Sequence, residues 1–136
     1  MSARSKARKA ALDLLYEADI RKSSASQILQ QRVTDLDFLI RDFTKELVTG
    51  VETHRRKIDE LIITYSVGWD MDRMPVIDRN ILRLGMYEIL WSDQVPNEVA
   101  IAEAVELAST LSTDDSSKYI NGVLSKIVEI KADLAV

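Results

Sequence analysis

Apolar residues recur along the chain at helical spacing. Ala7, Ala11, Leu14, Leu15 and Ala18 share one face and predict a helix over about Ala3 to Ile20. Arg4, Arg8 and Lys9 are expected towards its other side, and Arg21-Lys22 close its C-terminal end. Lys22 to Gln27 is polar and reads as a linker, with a short helical turn after it. Leu36, Ile40, Phe43, Leu47 and Val51 predict a helix from about Asp37 to Gly50, with Asp37 as its N-cap. Ile58, Leu61, Ile62 and Tyr65 predict another over about Thr53 to Ser66, stopped at Gly68.

The second half continues in the same period. Trp69 to Pro75 is a connection rich in Asp and Met, in which Trp69 and Met71 are expected to plug the core. Ile77, Ile81, Leu84 and Ile89 or Leu90 point inward from a helix over about Val76 to Trp91. Ile101, Ala104, Val105, Ala108 and Leu111 line the next, about Glu98 to Leu111. Ile120, Val123, Leu124, Ile127 and Val128 line the last, about Asp115 to Lys131. Strand-type alternation is not sustained anywhere, and no repeat appears. The expected fold is all-α: a compact bundle of six or seven helices joined by short loops.

Composition narrows this further. The 136 residues are the size of one domain, taken here as residues 1–136. Four Gly and two Pro leave little room for the turns of a sandwich or barrel. With no Cys there is no disulfide, thiolate ligand or cysteine nucleophile, as suits a reducing cytoplasm. The basic N-terminus lacks an apolar stretch after it, so it does not read as a secretory signal. No run approaches a membrane span.

Net charge is −4, but its distribution says more. Of the 18 basic residues, Arg4, Lys6, Arg8 and Lys9 fall in the first nine positions, so the other 14 face 22 acidic ones. A basic arm on an acidic body suggests a local polyanion contact.

Catalytic chemistry finds little support. His54, the sole histidine, stands in a charged stretch with no motif around it and is expected at the surface. Glu88, Glu98, Glu103 and Glu106 lie on neighbouring helices, but no Glu has a His three residues on, as a di-iron bundle requires. No Gly-rich phosphate loop opens a helix. No catalytic residue, metal site or cofactor is expected. Arg79 and Arg83, spaced i, i+4, point the same way and suit successive phosphates, although acids of another helix compete for them. Lys118-Tyr119 offers a cation beside an aromatic, the pairing that holds single-stranded RNA; Tyr119 suits the core equally well.

Four segments together resemble the NusB family of transcription antitermination factors. They are Ala7 to Glu17 with its Leu15-Tyr16 pair, Val76 to Ile89, Pro96 to Ala108, and Asp115 to Leu124. The resemblance covers nearly the whole chain in the family's order. It implies two packed helical subdomains. It also implies binding to the boxA element of nascent RNA together with the ribosomal protein NusE, within the antitermination complex on RNA polymerase that serves ribosomal RNA operons. The positions matching the family's RNA-contacting region are Arg4, Lys6, Arg8, Tyr16, Asp78, Arg79, Arg83, Lys118 and Tyr119. Tyr16, Asp78, Asp115 and Tyr119 match positions near the RNA and NusE surfaces.

There are departures. The arm carries fewer arginines than is common, Tyr119 stands where many members have Phe, Ala102 replaces a common Asn and Ser125 a common Asp. Monomer and homodimer both stay open. In the mechanism this implies, arm and helix cations contact about four phosphates, which gives a salt slope near −3. Tyr119 and Tyr16 offer aromatic surface, and Asp78 accepts from a base edge. The competing readings are the RNA-binding domain of ribosomal RNA cytosine methyltransferases, disfavoured by the chain's length and lack of cysteine, and a helical adaptor that binds only protein.

Overall fold

The computed structural model describes residues 2–34 and 40–136. The expected N-cap Asp37, and Leu36 with it, lie outside the described residues. Helix α1 (Ala3–Arg21) starts at Ser2, whose hydroxyl accepts from the Ser5 amide at 3.0 Å. It ends at Lys22, left-handed at φ 53°, and the Ser23 amide donates back to the Ala18 carbonyl at 3.0 Å.

The expected polar linker is shorter than its composition suggests. Ser24 already caps α2 (Ala25–Val33), and Glu52, from farther along the chain, closes that helix end from outside. The Glu52 carboxylate accepts from Ser24 Oγ at 2.8 Å, from the Ser26 amide at 2.7 Å and from Ser26 Oγ at 3.0 Å.

Helices α3 (Asp42–Thr53) and α4 (Arg55–Tyr65) are separated by the single residue His54. Its ring stacks on Trp91 at 4.2 Å and 10°, so it is half-buried rather than a free surface group. A short 3₁₀ turn (Met71–Arg73) leads to Pro75, after which α5 (Val76–Leu90) begins; Pro96 likewise precedes α6 (Asn97–Leu111). Thr113 caps α7 (Asp114–Ile130), its Oγ1 accepting from the Ser116 amide at 3.0 Å. Among the described residues there is no strand.

Helices α1, α2 and α3 pack on one another, and α4, α6 and α7 gather on the other side. α5 touches both groups, meeting α1, α3, α4, α6 and α7. Every residue from Asn80 to Ile89 is buried. Leu12, Leu47, Ile62, Leu82, Met86 and Leu124 are among the largest fully buried side chains. Each contributes about 1.5–3 kcal/mol through apolar burial. Trp69 and Met71 pack against this core as the pattern predicts. In α6 the inward face is rotated. Ala100, Ala104, Leu107 and Ala108 are buried, Ile101 and Val105 are half-buried, and Leu111 is exposed. Small residues let α6 lie close against α5 and α7, and the larger ones slide to the rim.

Candidate RNA-binding surface

The helix expected to present a cationic face instead turns its polar residues inward. Arg83 is 4% exposed. Its guanidinium donates to Asp59 of α4 at 2.9 and 3.2 Å, to Asp19 of α1 at 2.9 Å, and to Asn80 at 2.9 Å. Arg79 holds the same Asp19 through two hydrogen bonds of 2.8 Å, and Asn80 adds a third donor at 3.0 Å. Burial pushes the Asp19 carboxyl up, but hydrogen bonds from Arg79, Asn80 and Arg83 outweigh it and hold the group well below the usual carboxylate range. The Arg79–Arg83 pair therefore stitches α1, α4 and α5 together. Arg83 has no path to a phosphate, and Arg79 is only partly exposed with its fork occupied.

Asp78 also departs from the expectation of a base-reading carboxylate. It is fully buried; Oδ2 accepts from Ser116 Oγ at 2.8 Å, and Oδ1 has no hydrogen-bond partner among the described residues. Ser116 in turn lies 3.0 Å from Thr113 Oγ1 and 3.2 Å from Ser112 Oγ. Asp78 thus anchors the first turn of α7 to α5.

The basic arm divides. Arg8 is 2% exposed and donates to Glu88 through contacts of 2.8, 2.9 and 3.1 Å, with Glu103 3.6 Å away. Burial raises the Glu88 carboxyl above its ordinary range, and the Arg8 hydrogen bonds pull against that rise. Arg8 is a core residue, not a phosphate contact. Arg4 is exposed, lies 5.0 Å over the Phe43 ring and donates to Gln94 at 2.9 and 3.0 Å. Lys6 is exposed and makes no ion pair among the described residues.

The remaining site residues reach the surface. Lys118 is exposed, Asp115 is exposed, and Tyr119 is half-buried. The Tyr119 hydroxyl donates to the Val67 carbonyl at 3.1 Å and lies 3.0 Å from Ser66 Oγ; its ring meets Trp69 edge-on at 4.6 Å. Lys118 and Tyr119 line an open depression of about 310 Å³ with Tyr65, Val67, Gly122 and Val123. Tyr16 is 41% exposed and faces a second hollow with Lys9, Pro75, Ile77 and Leu111. Lys9 and Leu111 also border a larger apolar groove of about 590 Å³ between α1 and α6, floored by Val99, Ala102 and Leu107. The cations and aromatics therefore form two surface patches rather than one face of α5.

Asp19, Asp59, Ser66 and Ser116 escaped the sequence reading. Asp19 carried a signal, since it falls in phase with Arg8, Leu12 and Leu15 on α1. Ser66 and Ser116 carried none. Among the described residues no cluster of three or more potential ligands is placed to hold a metal, and no helix is long and apolar enough to cross a membrane.

Known proteins share both the sequence and this architecture. The family model described as the NusB family matches residues 5–129. The transcription antitermination protein NusB of Thermobifida fusca (strain YX) is 50% identical over 132 residues, covering 97% of this chain and 93% of that protein. Its counterpart in Saccharopolyspora erythraea is 52% identical over 132 residues, covering 96% and 89%. NusB of T. maritima superposes with a TM-score of 0.82 at 31% identity, covering 98% and 99% of the two chains. A crystal structure of antitermination factors NusB and NusE in complex with double-stranded RNA matches with a TM-score of 0.80 at 27% identity, covering 93% and 96%. Helical order, a fold shared from end to end and half the residues held in common with curated relatives agree that this chain belongs to the NusB family of transcription antitermination proteins.

Proposed function

We propose that this chain is a non-enzymatic cytoplasmic antitermination factor. It binds the boxA element of nascent RNA with NusE and joins the antitermination complex on RNA polymerase that supports ribosomal RNA operons. The observation that carries the reading is the likeness to the NusB–NusE complex with RNA, spanning 93% of this chain. Exposed Lys118 beside Tyr119, and Lys6 and Arg4 on the arm, supply the cations and aromatic surface that unstacked RNA requires. Tyr16, with Pro75 and Ile77, and the exposed Asp115 offer NusE an apolar and acidic surface. Arg8, Asp78, Arg79 and Arg83 act from within, by holding α1, α5 and α7 in place. The apolar α1–α6 groove suits protein contact, including a second copy of the chain.

The RNA in the related complex is double-stranded, which favours a second reading in which duplex is the ligand. Anisotropy titrations of labelled boxA, a scrambled strand and a duplex, with and without NusE, separate the two. Preference for single-stranded boxA that strengthens with NusE supports the first reading; equal binding of all three, or none, overturns it.

A further inference from the structure

Anchored cations elsewhere in the fold meet a carboxylate. Glu88 meets Arg8, Asp13 meets Lys9, and Asp19 and Asp59 meet Arg83. Arg4 is anchored differently. Its Nη1 donates to the Gln94 carbonyl at 2.9 Å and its Nη2 to Gln94 Oε1 at 3.0 Å, while the guanidinium lies 5.0 Å over the Phe43 ring. All of these partners are uncharged. Arg4 is exposed and makes no ion pair among the described residues, so it is held in place with its charge intact.

Gln94 is itself held. Its Nε2 donates to both carboxylate oxygens of Glu46, at 2.9 and 2.8 Å. With a carboxylate on one side and a guanidinium on the other, only one orientation of the amide satisfies both, and it turns Oε1 to Arg4. Glu46 and Phe43 belong to α3, and Gln94 to the segment between α5 and α6, so two separate parts of the chain fix an arginine of α1. A long side chain that is already ordered loses less freedom on binding. Gln94 takes one N–H from each terminal nitrogen, and the remaining guanidinium N–H groups stay available to an anion such as phosphate. Lys6 lies two positions on, exposed and likewise without an ion pair among the described residues, which favours a repeating anion over an isolated carboxylate.

We infer that Gln94, oriented by Glu46, is a positioning residue that holds Arg4 on the Phe43 ring, ready for one backbone phosphate of single-stranded RNA. This rests on the RNA-binding reading of the arm given above. The test measures anisotropy of labelled boxA RNA with NusE at several salt concentrations, together with Tm. It compares the unaltered full chain with Arg4→Ala, Gln94→Ala, Gln94→Glu and the double variant Arg4→Ala with Gln94→Ala. Arg4→Ala should reduce the magnitude of the salt slope by about 0.7. Gln94→Ala should keep the slope, since the charge stays, yet lower affinity about threefold, since Arg4 must then be ordered on binding. Gln94→Glu should reduce the slope as Arg4→Ala does, because a carboxylate then neutralises Arg4. In the double variant, loss of Gln94 should add nothing to loss of Arg4, a result that general damage to folding does not produce. Gln94→Ala binding as tightly as the unaltered chain, or a loss that persists without Arg4, refutes the positioning role, and so does a slope that Arg4→Ala leaves unchanged. Each of those results leaves RNA binding by the other cations standing. No binding by the unaltered chain removes both.

Discussion

Arg8 on α1 and Glu88 on α5 form a buried ion pair with side chains 3% and 2% exposed. Their three hydrogen bonds pin α1 to α5. Removing one partner leaves an uncompensated charge in the core, whereas replacing both by apolar side chains does not. Arg8→Met or Glu88→Leu alone should cost about 3–5 kcal/mol in urea unfolding, and the double variant should be more stable than either single. Additive losses would contradict the pairing.

Arg83 holds the carboxylates of Asp19 and Asp59 together across three helices. Arg83→Ala should lower stability by about 3 kcal/mol, since both acids lose their shared cation. The same substitution should alter RNA affinity only where the protein begins to unfold. Undiminished stability with weakened RNA binding would return Arg83 to the surface.

Acid should weaken the fold through Asp19. Its carboxyl is held low in the folded state, while the unfolded chain takes up a proton near pH 4. The unfolded state therefore binds more protons as pH falls, and stability present in full above that value is lost progressively below it. Glu88, shifted upward, works in the opposite sense. Asp19→Asn should be less stable at neutral pH and should show a flatter loss of Tm between about pH 5 and about pH 3. Parallel curves for variant and unaltered chain would exclude Asp19 as the source.

Burial of Arg8 and Arg83 lowers the number of phosphates the protein can engage. Arg4, Lys6 and Lys118 remain, which sets the salt slope for single-stranded RNA near −2 rather than −3. Lys6→Ala and Lys118→Ala should each lower its magnitude by about 0.7, with Tm unchanged. A slope near −3 would mean that cations beyond these three take part.

Helical spacing was enough to place α1, α3, α4, α6 and α7, because each exposes one side and buries the other. α5 shows where such reasoning stops. From Ile81 to Leu90 only Arg83 and Glu88 are charged, and a run that apolar reads as buried all round. The i, i+4 spacing of Arg79 and Arg83 correctly gave a shared direction, but direction alone does not say whether solvent or a carboxylate lies there. That depends on Asp19 and Asp59, sixty and twenty-four positions from Arg79 and Arg83. The arm divided for the same reason: Arg8 is in register with Leu12 and Leu15, and Lys6 is not. Composition hid α2, since Ser24 and Ser26 read as linker until Glu52 is brought beside them. Lys118 and Tyr119 were legible as a pair, but the loop that fixes the Tyr119 hydroxyl was not.

The position of Glu52 has a consequence for selectivity. A helix start with free amides and hydroxyls is a ready lure for any phosphate group. At α2 the chain's own carboxylate already occupies that place, bound to Ser24 and Ser26. A wandering polyanion meets like charge there instead of a welcome. The fold thus silences a generic attraction for phosphate at this helix start, because the donors that would offer it are already occupied from within.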